Sequence, residues 1–178
     1  MTRATHTHRG YLAVAASLLL AILAAGCFGS SPSSDQLVAQ GLQAQNAGRL
    51  DEAAALYRDA QKKDANNKWA YYNLGLIDQQ KNLITDAEAN YRHALSVDGK
   101  FVSALFNLAI LRSQLGAKQE AADLYRRIIV ITPNNSAAHL NLGYTLIDLN
   151  ERSAAKNEFR TAVRLDPSLS NRVPKGMT

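Results

Sequence analysis

Few of the side chains here that could serve as nucleophiles, bases or metal ligands stand where they could act together. His6 and His8 lie near the N-terminus, and His93 and His139 are far from each other along the chain. Neither of the later two has a cysteine, a second histidine or a carboxylate at metal-ligand spacing on its own predicted helix. His139 replaces a usually large packing residue, so a packing role is expected of it. Glycine-rich phosphate loops, nucleophile elbows and paired-carboxylate motifs are missing. Asn134-Asn135-Ser136 matches a glycosylation sequon but falls where a turn is predicted, and turn chemistry accounts for it. The sequence therefore nominates no catalytic residue, no metal site and no cofactor, and the chain is expected not to be an enzyme. Two kinds of chemistry remain, a single sulfur and a row of amides.

The sulfur belongs to Cys27, the one cysteine, so no intramolecular disulfide can form. It follows a segment built like a secretory signal: a polar start with Arg3 and Arg9 and no acid, then the apolar run Tyr11 to Ala25, then small residues. That run is short for a permanent anchor, since a membrane span takes roughly 20 apolar residues to cross about 30 Å of hydrocarbon. Leu23-Ala24-Ala25-Gly26-Cys27 resembles a bacterial lipobox, in which the cysteine is lipidated on its sulfur and becomes the new N-terminus. Ala25 and Gly26 match that pattern, Ala24 stands where leucine is preferred, and Leu23 is one place early. The same residues also fit a signal cut near Ala-x-Gly with Cys27 incidental, or an uncleaved anchor. The resemblance implies a signal peptide over 1–26 and a membrane lipid anchor on Cys27, facing the periplasm or the outside of the cell. By resemblance to Gram-negative lipoproteins, Phe28 in place of aspartate would send the protein to the outer membrane if the source has one. Residues 27–33 then read as a Gly/Ser/Pro tether with nothing able to pack.

The amides are Asn73, Asn107 and Asn141, spaced by 34 residues. A side-chain amide offers a donor and an acceptor, so it can pair with a peptide backbone without reading its sequence. Beside them run Trp69, Tyr72, Leu76, Phe106, Ile110, Leu140 and Tyr144, and an exposed patch of that kind marks an interaction site. Some of these rings are expected to be partly buried between helices.

The elements that position these residues follow from the same period. Gly41, Gly75, Ala109 and Gly143 are 34 apart, as are Ala53, Ala87, Ala121 and Ala155, and Tyr57, Tyr91, Tyr125 and Phe159. A fixed offset of this length is the mark of a repeat array. The units are 34–67, 68–101, 102–135 and 136–169, followed by a tail over 170–178. Each reads as two helices, with a break near Gly48, Asn82, Gly116 or Asn150. The second helix is expected to begin near Asp51, Thr85, Gln119 or Ser153, and Thr85 with Glu88 looks like a capping box. A small residue at Gly75 or Gly143, facing Ala87 or Ala155, lets the two helices approach, and the aromatic row fills the space beside them.

These residues resemble the tetratricopeptide repeat pattern: Tyr71, Leu74-Gly75, Ala87, Tyr91, Ala94 and Gly99 in one unit, and His139, Leu142-Gly143, Ala155, Phe159, Ala162 and Pro167 in another. Gln40, Ala65, Gly99 and Ile128 depart from it. The resemblance implies an all-α, right-handed solenoid of four helical hairpins whose first helices line a concave groove. The asparagine row is similar to the ladder that holds an extended peptide in O-linked N-acetylglucosamine transferases. A protein or peptide partner is thus expected, bound by apolar and amide contacts, since the groove is poor in lysine and arginine. Pilus or secretion assembly and envelope coordination are the roles the resemblance suggests.

Nucleic acid is not an expected partner. The net charge is +5, which falls to +3 without Arg3 and Arg9, and acids and bases are interleaved along the chain. After Pro167 the residues look too few and too broken for a capping helix. The last helix is therefore expected to leave Ala155, Ala162 or Val163 partly uncovered, for self-association or for the tail to lie over.

Overall fold

The computed structural model describes residues 31–177; the leader over 1–26, Cys27 and the first part of the tether lie outside them. Eight α-helices follow in four hairpins: α1 (Ser34–Asn46) and α2 (Leu50–Lys63), α3 (Lys68–Gln80) and α4 (Ile84–Val97), α5 (Val102–Gln114) and α6 (Lys118–Ile131), α7 (Ser136–Asp148) and α8 (Arg152–Leu165). A 3₁₀ helix, Pro167–Arg172, comes last. The all-helical repeat fold implied by the sequence is the fold observed, and the described residues contain no strand.

Each helix end has a local cause. Ser33 and Gln36 form a reciprocal capping box at α1, with Gln36 N–H donating to Ser33 Oγ (3.2 Å) and Ser33 N–H to Gln36 Oε1 (2.8 Å). Asn67 and Asn135 cap α3 and α7 by accepting from first-turn amides. The turn inside each hairpin passes through one left-handed residue: Gly48, Asn82, Gly116 or Asn150, with φ between 59° and 80°. Glycine and asparagine tolerate that conformation best. The following amide then reaches back to the third-last carbonyl of the helix, as Arg49 N–H does to Ala44 O and Glu151 N–H to Leu146 O (2.9 and 2.8 Å). This backbone closure makes a side-chain cap on the second helix unnecessary. The expected Thr85–Glu88 capping box is accordingly absent: α4 starts one residue before Thr85 and is led by Leu83, with no side-chain cap. Glu88 pairs instead with Arg92 and Arg112, each at 2.9 Å.

Within each hairpin the small residue meets the aromatic directly. A Cβ on Gly75 would lie 2.8 Å from the Tyr91 ring, and one on Gly143 would lie 2.7 Å from Phe159. The opposing alanines Ala53, Ala87, Ala121 and Ala155 are fully buried in the same core. Tyr57, Tyr91, Tyr125 and Phe159 are all buried, and burial raises the phenol pKa of Tyr57 and Tyr125 to about 12 and that of Tyr91 further. Hairpin stacks on hairpin, α2 on α3, α4 on α5 and α6 on α7. The core lies in separate clusters: one joins Leu37 through Ile77, and a larger one runs from Ala87 to Leu169.

The C-terminal expectation needs correction. Ala155 and Ala162 are fully buried and Val163 half-buried, with Leu169 of the 3₁₀ helix laid onto the core and Val173 and Met177 packed beside it. Asp166 accepts from Ser168 N–H (3.0 Å) and starts this short helix, and Tyr144 donates its hydroxyl to the Arg172 carbonyl. Lys156 reaches Gly176 O at 3.3 Å. The tail thus lies over this end, and of the three residues Val163 alone is left partly uncovered.

Candidate functional site

The first helices α1, α3, α5 and α7 present one stripe of apolar side chains at equivalent repeat positions: Leu42, Leu76, Ile110 and Tyr144. Leu42 is 42% and Tyr144 38% exposed, with Leu76 and Ile110 half-buried between them. Such exposure is unusual for leucine and tyrosine in a row, because helix packing would otherwise consume it. Tyr144 is held edge-on to Phe159 (5.2 Å between centroids) and tied by its hydroxyl to the tail.

A second set of rings stands beside the stripe. Trp69, 48% exposed, packs edge-on against the buried Phe101 at 4.7 Å, and Tyr72 leans on Phe101 at 5.0 Å. Lys68 sits over Trp69 and Phe101 and pairs with Asp98 at 2.6 Å. That hydrogen bond holds the Asp98 carboxyl below its ordinary pKa. Phe106 is half-buried, edge-on to Tyr125 at 5.7 Å. Leu140, expected in the lining, is buried at 1% exposure and belongs to the core cluster. The physical reason is length: Tyr72 and Phe106 at the same repeat position reach outward, while Leu140, like Val38, retracts between the helices.

The asparagine row is not three equivalent amides. Asn73 is only 5% exposed yet has no hydrogen-bond partner within the described residues, and no side-chain oxygen or nitrogen there is sealed off without one. Its amide therefore reaches the surface from a buried stem. Asn107 donates to the Tyr72 hydroxyl at 3.2 Å, which leaves its carbonyl oxygen available, and Asn141 is half-buried with its side chain unpaired. A further pair of amides stands beside it. Gln45 and Gln79 each accept the hydroxyl of the buried tyrosine in their hairpin, Tyr57 (2.9 Å) and Tyr91 (2.8 Å). Their carbonyls are thus fixed and their N–H₂ groups left to donate. Each glutamine precedes its tyrosine by 12 residues, while Ser113 stands in that place before Tyr125 and Ile147 before Phe159, so the pairing belongs to the first two hairpins.

Charge plays little part. Asp148 is paired with Lys118 (2.7 Å), and Asp35 accepts from Asn67 (2.9 Å). His139 lies away from this face: its Nδ1 is 2.6 Å from Glu158 and its Nε2 3.0 Å from Pro133 O, so it clips α7 to α8 and to the preceding turn. His93 stacks on Tyr71 at 3.7 Å. Among the described residues no three His, Cys, Asp or Glu side chains are grouped to hold a metal ion.

Comparison with known proteins agrees with this architecture. Tetratricopeptide repeat models match residues 72–136 and 136–169. No curated protein matches the chain. Among solved structures, MamA is 22% identical with a TM-score of 0.69, over 75% of this chain and 73% of that one. YrrB, described as a TPR protein with an unusual peptide-binding site, is 19% identical with a TM-score of 0.72, over 78% and 72%. The first TPR of Spaghetti (RPAP3), bound to the HSP90 peptide SRMEEVD, is 22% identical with a TM-score of 0.63, over 70% and 99%. At these identities the likeness is one of fold. The family models span most of the four hairpins, the helices keep the 34-residue register throughout, and the chain belongs to the tetratricopeptide repeat family.

Proposed function

We propose that the face formed by α1, α3, α5 and α7 holds an extended or helical segment of a protein partner through apolar and amide contacts, with little use of charge. The repeat fold itself is that of a protein-interaction scaffold, and no catalytic family matches. The observation that carries the finer reading is Asn73, a buried asparagine whose amide is unpaired and accessible beside the stripe of Leu42, Leu76, Ile110 and Tyr144. An accessible amide that the protein leaves unpaired is free to hydrogen-bond a ligand, and a peptide backbone offers the matching donor and acceptor. YrrB and the Spaghetti repeat, by their descriptions, bind peptides. The reading is tested by placing a photoreactive amino acid at position 76 or 110 and crosslinking in cells. Adducts should form there, should not form from position 55 on α2, and should vanish in the Asn73→Ala, Asn107→Ala, Asn141→Ala variant. Equal adducts from both positions sink it.

The second part of the proposal is the anchor. Arg3 and Arg9, the apolar run and the small residues before Cys27 support lipidation of that sulfur, and no described helix is long and apolar enough to cross a membrane. A lipid-anchored array would present its groove at the bacterial envelope, where assembly of pili or secretion machinery are fitting roles. Membrane association and normal processing of Cys27→Ser would exclude the lipid.

A further inference from the structure

Among the described residues the most exposed large apolar side chain lies outside the stripe on the first helices. Val130, on the last turn of α6, is 81% exposed. It borders an open hollow of about 340 Å³ lined by Gly99, Lys100, Arg126, Arg127, Val130 and Ile131. Gly99, Arg127 and Val130 depart from their repeat rows, whereas Arg126 repeats Arg58, Arg92 and Arg160, and Ile131 follows Val97 and Leu165. Lys62, Ser96 and Arg164 are the counterparts of Val130, all polar; Ala65, Pro133 and Pro167 stand where Gly99 does; and Asp59, His93 and Thr161 stand where Arg127 does. A Cβ added at Gly99 would meet only the Leu95 carbonyl oxygen, at 3.8 Å, so the missing side chain leaves that wall open.

Three cations rim the hollow. Arg127 donates to Gly99 O at 3.0 Å, which fixes its guanidinium over the opening, and Arg126 shares the exposed Asp123 at 2.8 Å. Lys100 has no ion pair among the described residues; its charge also acts on Asp98, which Lys68 engages directly. Cations near the end of α6 also offset its dipole, but that asks for charge alone and gives no reason for a bare valine among them.

We infer that this hollow is a second docking site, for an acidic protein segment carrying an aliphatic side chain between its carboxylates. The rim supplies an excess of positive charge at short range, and Val130 and Ile131 supply a floor for the aliphatic group. A flat bilayer can meet the cations but cannot fill a concavity, which favours a protruding side chain over a membrane surface. The site is formed by second-helix and turn residues and shares none with the groove, so it stands or falls separately from the function proposed above.

The test is fluorescence anisotropy of the full chain with a labelled peptide of glutamates flanking a central leucine. Binding is expected, weakening as salt rises from ~50 to ~300 mM as the rim charges are screened. Val130→Ser should weaken it about fivefold by removing the apolar contact, and Lys100→Glu with Arg127→Glu should abolish it. Gly99→Pro should also weaken it by narrowing the wall. Asp98 already has an extended backbone with φ −138° and ψ 95°, close to that of Asp166 before Pro167, so this variant keeps the fold. Circular dichroism confirms folding, and Leu76→Gln in the groove should leave the affinity unchanged. Unchanged binding by Val130→Ser, equal binding of a peptide with serine for leucine, or binding only to vesicles containing phosphatidylglycerol would each overturn the inference.

Discussion

Gly143→Ala should destabilise the last hairpin, although on helix propensity alone it should do the reverse. Glycine inside a helix costs about 1 kcal/mol relative to alanine, so an exposed glycine would gain that much on replacement. Here the new methyl would stand 2.7 Å from Phe159 Cε1, 2.8 Å from Cδ1 and 3.0 Å from Cζ. All three distances are inside van der Waals contact, and all belong to one ring. That ring is fully buried and pinned edge-on by Tyr144, so it cannot swing into solvent. Overpacking of this kind costs about 1–3 kcal/mol. Ala109 shows that the fold can accept a methyl at this position against Tyr125, which puts the cost near the middle of the range. The two effects leave a net loss of about 1 kcal/mol, or a midpoint lower by about 2–4 °C for a chain of this size. Thermal melts followed by circular dichroism measure it, and hydrogen exchange should localise the loss to α7 and α8. Phe159→Leu in the same chain should recover part of it by vacating the clash. A rise in the melting temperature on Gly143→Ala would refute the argument that the ring, and not the opposing alanine, sets the glycine.

Leu169→Ala should cost about 2 kcal/mol and, by uncovering Ala155 and Ala162, produce association visible by light scattering; a monomer of unchanged stability would show that the tail is not the cover. Tyr57 and Tyr125 have phenol pKa values near 12 against an ordinary 10, so the fold favours the protonated phenol. Their contribution is intact below about pH 10 and is lost as pH rises towards 12. Absorbance at 295 nm should therefore show late-titrating tyrosines whose ionisation coincides with loss of helicity; titration near pH 10 with helicity intact would contradict this. Burial raises the Asp78 pKa despite the hydrogen bond from Asn90 (2.8 Å). That carboxyl thus favours the fold when protonated and disfavours it once pH rises past its pKa. Asp78→Asn should stabilise the array at neutral pH and leave it unchanged well below pH 4; denaturant midpoints at the two pH values decide.

Much of this architecture was legible because the repeat compares the chain with itself. Four residues in one row, such as Tyr57, Tyr91, Tyr125 and Phe159, report a packing position more firmly than one residue in a window. The row Gly48, Asn82, Gly116 and Asn150 likewise placed every hairpin turn. What the rows could not tell was the direction and reach of individual side chains. Leu140 shares a repeat position with two half-buried rings and is nonetheless fully buried, since its fate depends on how far a side chain extends past the helix wall. The Thr85–Glu88 pattern misled because the turn closes through backbone bonds, which free Glu88 for ion pairs with Arg92 and Arg112 contributed by other turns. The tail was hardest to read, because its burial rests on Leu169 meeting a surface assembled from distant segments.

The division of the core has a mechanical consequence. One cluster joins α1 and α2 to α3, and the larger one begins at Ala87 and Tyr91 on α4 with Tyr72 and Leu76 of α3 packed against it. A small one of Ala94, Phe101 and Ala104 stands beside them, so the boundary crosses the second hairpin without parting it. A pull applied at Ser33 loads only the smaller cluster first, and in an array held by nearest-neighbour contacts it peels from that end. The far end, clasped by Leu169, keeps its shape while the near end yields. Under tension this chain would behave as a spring with one soft coil, paying out length before α5 to α8 are strained.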